Sequence, residues 1–114
     1  MPAERSERLY LTDIRDAIDR ILAYTSQGRE AFLLDTRTQD AVVRNIEIIG
    51  EATRGVSDAT RRAHPGIPWR DMADMRNKVV HDYFRIDLDV VWDVVSNDLR
   101  PLRQQIDQLL QDSV

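Results

Sequence analysis

The last third of the chain carries a long run of apolar residues spaced three and four positions apart. The run is Leu88, Val91, Trp92, Val95, Leu99, Leu102, Ile106, Leu109 and Leu110. This spacing follows the 3.6-residue turn of an α-helix, so one face of the segment is apolar along its whole length. Such a face must be buried against other elements. The pattern therefore predicts a helical bundle, with Asp87 or Asp89 as the N-cap of its last helix.

Two earlier segments repeat the helical period. The first helix is predicted from about Leu9 to Ser26, with Gly28 ending it. After a short amphipathic turn, Thr36 and Gln39 have the spacing of a capping box, so a second long helix is predicted to begin there and to end at Gly55. A weak helical turn is expected near residues 57–64.

A third long helix is predicted to begin after the helix-breaking sequence "HPGIP". Pro68 suits the first position of a helix. The apolar stripe of that helix would be Trp69, Met72, Val79, Val80 and Tyr83. Gly50 indicates the close approach of a neighbouring helix, and Pro101 predicts a kink near residues 97–101. Four substantial helices with short connections predict an all-α, up-and-down bundle of four to five helices, forming one domain over residues 1–114.

Composition excludes several classes of protein and site. The chain has no cysteine, which excludes disulfides, thiolate zinc sites and a cysteine nucleophile. No apolar run is long enough to span a membrane, and the N-terminus lacks a signal-peptide core, so we expect a cytoplasmic protein that does not enter membranes. With only two histidines, a metal site is not expected, and no cofactor-binding motif is present.

The stretch "RNKVVHDYF", residues 76–84, stands out within the third predicted helix. Arg76 and His81 lie about 140° apart around such a helix, and His81 shares a face with Asn77, whose amide could orient the imidazole. Arg76 falls on the apolar side, where an unpaired guanidinium is costly. A purely structural interpretation is a salt bridge from Arg76 to Glu47 or Glu51. The functional one is phosphate chemistry, with Arg76 and His81 as the catalytic pair.

The charge distribution leaves both interpretations open. The formal net charge is −4, which is not typical of a nucleic-acid-binding protein. From Arg61 to Lys78, however, five basic residues stand against two acidic ones. A local positive surface beside the motif and an ordinary mixed surface are both consistent with this pattern.

The chain resembles the HepT-like toxins of the HEPN superfamily, small helical bundles whose motif is Arg, four residues, His, one residue, Tyr. Here the motif reads Arg76, "NKVV", His81, Asp82, Tyr83. The resemblance extends to "TQDAVVRNIEIIGEA", "IPWRDMADMRNKVVHDYF" and "IDLDVVW", in the family's order and over more than half of the chain.

The resemblance implies a metal-independent endoribonuclease that acts as the toxin of a toxin–antitoxin pair. Its catalytic residues would be Arg76 and His81, with Asn77 in support. The antitoxin would be a minimal nucleotidyltransferase that transfers AMP from ATP to Tyr83. Because one chain supplies a single Arg–His pair, and family members dimerise, a homodimer with a shared cleft is expected.

Two rival hypotheses belong to other classes. The first is a non-catalytic HEPN module, in which the cleft between Arg76 and His81 binds a nucleotide or a protein partner. The second is a bundle that serves only for dimerisation. Neither rival needs Arg76, His81 and Tyr83 together, which favours the ribonuclease.

Overall fold

The computed structural model describes residues 6–82 and 85–112, except for the side chains of residues 81 and 82. Helices dominate this part of the chain. They are α1 (Glu7–Tyr24), α2 (Arg29–Leu34), α3 (Thr36–Arg54), α4 (Asp58–Ala63), α5 (Trp69–Ala73), α6 (Met75–Val79), α7 (Leu88–Asp93), a π-helical turn (Val94–Asp98) and α8 (Leu99–Asp112). Between α6 and α7 lies a small antiparallel hairpin of β1 (Val80–Asp82) and β2 (Arg85–Ile86). The predicted all-α class is confirmed.

Helix α1 begins two residues before its predicted start and ends two residues before its predicted end. The start is set by Ser6, whose hydroxyl accepts a hydrogen bond from the N–H of Arg8. This bond satisfies one of the free amides of the first turn. The predicted apolar stripe is buried, with Ile14, Ile18 and Ile21 fully inaccessible to solvent.

The predicted N-cap of α3 is wrong by one residue. Asp35, not Thr36, caps the helix, because its carboxylate accepts hydrogen bonds from the N–H of Arg37 at 3.0 Å and the hydroxyl of Thr38 at 2.8 Å. The hydrogen bond from Thr38, with the help of the helix amides, lowers the pKa of Asp35. Gln39 does not close a capping box. Its amide donates instead to two carbonyls of α2.

The helices α7 and α8 form one rod through the π-helical turn. Of the two N-caps predicted, Asp87 is the one observed: its carboxylate accepts a hydrogen bond from the N–H of Val90 at 3.1 Å. Within the rod, the N–H of Leu99 donates to the carbonyl of Val94, five residues earlier. Pro101 lies just beyond and has no N–H to give to the carbonyl of residue 97. The irregularity predicted from Pro101 thus takes the form of a wider helical turn.

The core lies where α1, α3, α5, α6 and the α7–α8 rod meet. Its largest fully buried side chains are Phe32, Ile14, Ile18, Ile21, Ile46, Ile49, Met72, Leu99, Ile106 and Leu110. Nε of Arg103, on α8, donates a hydrogen bond to Oδ1 of Asp19, on α1, at 2.6 Å. This hydrogen bond raises the pKa of Arg103. No helix among the described residues is both long and apolar enough to cross a membrane.

Gly50 sets the separation between α3 and α5. A Cβ atom at this position would lie 3.2 Å from the carbonyl oxygen of Ala73, closer than about nine in ten real Cβ contacts. The close approach predicted from Gly50 is therefore confirmed. The same carbonyl accepts a hydrogen bond from Arg54 at 3.1 Å. Together these contacts fix the end of α5 against α3, just ahead of α6.

Candidate active site

Arg76 lies on α6, a five-residue helix held to the core by Met75 and Val79. Both of these apolar side chains are buried, whereas the side chain of Arg76 is 53% exposed. The prediction that Arg76 falls on the apolar side of its helix is therefore wrong. The helix anchors the backbone and leaves the guanidinium open to solvent.

The exposed guanidinium of Arg76 faces α3. Its Nε lies 3.7 Å from Oε1 of Glu47, which is the salt bridge that the structural interpretation predicted. The other oxygen of Glu47 lies 3.8 Å from a terminal nitrogen of Arg44. Exposed ion pairs of this length stabilise a fold by only about 0–1 kcal/mol. An anion such as a phosphate can therefore replace Glu47 as the partner of Arg76.

Arg44 is the residue at this site that the sequence analysis missed. It reaches the site through Glu47, three residues later on α3. The i, i+3 spacing of Arg44 and Glu47 was the available signal. The other glutamate considered as a partner, Glu51, pairs instead with Arg54 at 2.7 Å.

His81 does not lie on a helix, and this corrects the prediction of one helix through the motif. Helix α6 ends at Val79, and His81 belongs to strand β1, which pairs with β2. The N–H of Asp87 donates to the carbonyl of Val79 at 2.8 Å, so that carbonyl is used by the chain beyond the hairpin. Two successive β-branched valines favour this change from helix to strand.

The hairpin changes the relation between Asn77 and His81. Asn77 is exposed on α6, while His81 lies in strand β1, so the shared helical face expected for them does not exist. The side chain of His81 and the whole of Tyr83 lie outside the described residues. Their roles stay predictions.

The described geometry can bind an anion at Arg76, with a second arginine nearby. Arg76 and Arg44 both border Glu47, so two guanidinium groups flank one carboxylate on the surface of α3 and α6. Guanidinium groups suit the oxygens of a phosphodiester. Among the described residues, no group of three or more His, Asp or Glu side chains could hold a metal ion.

Comparison with known proteins identifies the family. The family model described as "Ribonuclease HepT-like" matches residues 14–109. A probable ribonuclease HepT of Thermococcus cleftensis is 44% identical over 107 residues, which is 93% of this chain and 97% of that protein. A putative RNase of Methanocaldococcus jannaschii is 33% identical over 110 residues, which is 96% of this chain and 91% of that protein. No solved structure matches the chain. The chain therefore belongs to the HepT-like ribonuclease family.

Proposed function

We propose that the chain is a metal-independent endoribonuclease of the cytoplasm and the toxin of a toxin–antitoxin pair. Membership of a ribonuclease family over residues 14–109 is the observation that carries this proposal. The half-exposed Arg76, held only by a long ion pair with Glu47, supports a role in binding RNA phosphate.

Metal-free cleavage of RNA can proceed by attack of a 2′-hydroxyl on the adjacent phosphate. The reaction needs a base for that hydroxyl, an acid for the leaving 5′-oxygen, and a cation for the charge that develops on phosphorus. Arg76 supplies the cation. His81 transfers protons, since an imidazole has its ordinary pKa near neutrality. Asn77, exposed next to Arg76 on α6, is the proposed supporting residue.

The test of catalysis is cleavage of a labelled RNA by purified protein in EDTA. Arg76→Ala and His81→Ala should each reduce the rate at least about 100-fold, the contribution typical of a charge-stabilising group and of a general acid–base group, respectively. Arg29→Ala is the matched control, because Arg29 is 54% exposed and also paired with a carboxylate, that of Asp89, but lies outside α3 and α6. It should keep most of the activity.

Three results would contradict this assignment. Full activity in His81→Ala would exclude the proposed proton transfer. Loss of wild-type activity in EDTA would exclude a metal-free reaction. RNA binding without any cleavage by the wild-type protein would instead favour a non-catalytic nucleotide- or partner-binding module.

Control of the toxin is proposed through Tyr83, two residues beyond His81. A nucleotidyltransferase antitoxin would transfer AMP to its phenol. The added phosphodiester is negative and would repel the RNA phosphate that approaches Arg76. Like charges about 4 Å apart at an effective dielectric constant of about 20 repel by about 4 kcal/mol. Even half of that energy weakens RNA binding more than tenfold, since about 1.4 kcal/mol corresponds to a factor of ten.

This control is tested by incubating the chain with its nucleotidyltransferase and ATP. Mass spectrometry should place one or more AMP groups on Tyr83, and RNA cleavage should stop. Tyr83→Phe should still cut RNA and resist this inhibition. An adduct on another residue, or a modified protein that cuts RNA at the original rate, would overturn the proposal.

A further inference from the structure

A cavity of about 740 Å³ opens beside the motif, on the side of α6 that faces the α7–α8 rod. Its floor is apolar and consists of the buried side chains of Met72, Met75, Val94 and Leu102. The volume lies within the range of about 300–1,000 Å³ found for small-molecule sites. The cavity is therefore large enough for a nucleobase together with part of its ribose and some water.

The rim of the cavity is polar, and several of its side chains have no partner among the described residues. The side chains of Asp71, Asp74, Asn77 and Asn97 line it and are exposed. None of the four forms a side-chain hydrogen bond or ion pair with another described residue. They present carboxylate acceptors and amide donors to whatever enters.

The charge of the rim disfavours a phosphate. Three carboxylates border the cavity, on Asp71, Asp74 and Asp98, against the single ammonium of Lys78. That ammonium lies 4.0 Å from the carboxylate of Asp98, so it is already partly neutralised. A suitable ligand is instead uncharged, has a flat apolar face for the floor, and carries N–H donors on its edge. Nucleobases have this combination.

The identity of the donors narrows the choice of base. Guanine, adenine and cytosine each carry an exocyclic amino group that a carboxylate can accept from, whereas uracil presents two carbonyl oxygens and one ring N–H. Unpaired bases of single-stranded RNA are available for such recognition. The π-helical turn at Val94–Asp98 adds a second observation, because turns of this kind frequently lie at functional sites and Asn97 projects from it into the rim.

The position of the cavity connects it to the proposed cleavage site. Asn77 and Lys78 line the cavity and directly follow Arg76, which faces α3 on another side of the same short helix. An RNA strand with a phosphate at Arg76 can therefore place a neighbouring base in the cavity. We propose that this cavity binds an amino-bearing base next to the cleaved bond and thereby selects the RNA sequence. The inference rests on the proposed ribonuclease function.

The experiment measures binding of uncut RNA by fluorescence anisotropy. The probes are 2′-O-methyl octanucleotides, which lack the attacking hydroxyl: one of uridine alone, and three in which two central uridines are replaced by G, A or C. The wild-type protein should bind the G, A and C probes about tenfold more tightly than the uridine probe, as a good base contact allows. Asp71→Asn and Asp74→Asn should reduce this ratio, because an amide can also donate to uracil.

Asp93→Asn is the matched control, because it removes the same charge from an exposed aspartate of α7 outside the cavity. It should leave the ratio unchanged, although overall affinity rises. Equal binding of the four probes by the wild type, or an unchanged ratio in both cavity variants, would overturn the inference. If the wild-type protein still cleaves RNA, the proposed function is unaffected by that result. If Asp71→Asn or Asp74→Asn loses the base preference but also changes its molecular mass in light scattering, the inference is also overturned. The cavity would then be an interface between copies of the chain. Failure to bind any RNA would overturn the proposed function as well.

Discussion

At the scale of single residues, Glu7 shows how one carboxylate joins two elements. The N–H of Ser57 and the hydroxyl of Thr60 both donate hydrogen bonds to the carboxylate of Glu7. Ser57 and Thr60 lie at the start of α4, just after the C-terminal end of α3. Partial burial of Glu7 opposes its ionisation, but these hydrogen bonds outweigh the burial and hold the pKa of Glu7 below its ordinary value near 4.5. The ionised form therefore stabilises the folded chain.

The stabilisation by Glu7 depends on pH in a predictable direction. Because the folded-state pKa is lowered, the contribution is present above about pH 4.5 and is lost as the pH falls through the lowered pKa. Glu7→Gln should therefore be less stable than the wild type at pH 7, with a difference that shrinks toward pH 3. Chemical denaturation at several pH values measures it, with the exposed Glu30→Gln as control. A difference that stays constant across this range would contradict the assignment.

At the scale of elements, the sequence revealed the long helices and missed the break inside the motif. The stripes of α1, α3 and the α7–α8 rod extend over many turns, so their period is unambiguous. The segment after Pro68 offers only a few apolar positions, and Val79–Val80 fits a helical stripe as well as a strand. The decisive bond, from the N–H of Asp87 to the carbonyl of Val79, joins residues eight apart and leaves no periodic signal.

The contact at Gly50 makes a testable link between packing and activity. In Gly50→Ala, the added Cβ must push the Ala73 carbonyl by a few tenths of an ångström, which displaces the end of α5 and with it α6. Overpacking lowers the free energy of unfolding by about 1–3 kcal/mol, whereas the higher helix propensity of alanine raises it by about 1 kcal/mol. We therefore expect a small loss of stability but a several-fold loss of RNA cleavage, because Arg76 moves relative to α3.

The measurements are denaturation and cleavage rate on the same preparation of Gly50→Ala. Val42→Ala serves as control, because it removes buried apolar volume from α3 about two helical turns before Gly50. If Gly50→Ala and Val42→Ala lose activity only in proportion to stability, the contact does not position the motif.

At the scale of the whole molecule, a single copy offers one Arg76 and one His81, whereas the proposed reaction needs two proton transfers. We therefore expect the active species to be a two-fold dimer that shares a cleft. Light scattering should give twice the 13.2 kDa mass of one chain. Mixing inactive Arg76→Ala and His81→Ala chains under conditions of subunit exchange should restore part of the activity. An active species that remains monomeric at assay concentration would refute this expectation.

The hairpin of β1 and β2 affects the stage of synthesis at which the motif residues can take up their folded arrangement. Two strands of three and two residues are too small to be stable alone. The N–H of Asp87 donates a hydrogen bond to the carbonyl of Val79, just ahead of β1. Asp87 also caps the rod whose apolar face completes the core. A chain emerging from the ribosome thus carries every motif residue before it can arrange them. We expect a nascent chain that ends before residue 88 to lack ribonuclease activity, so that activity begins only after the rod has been made.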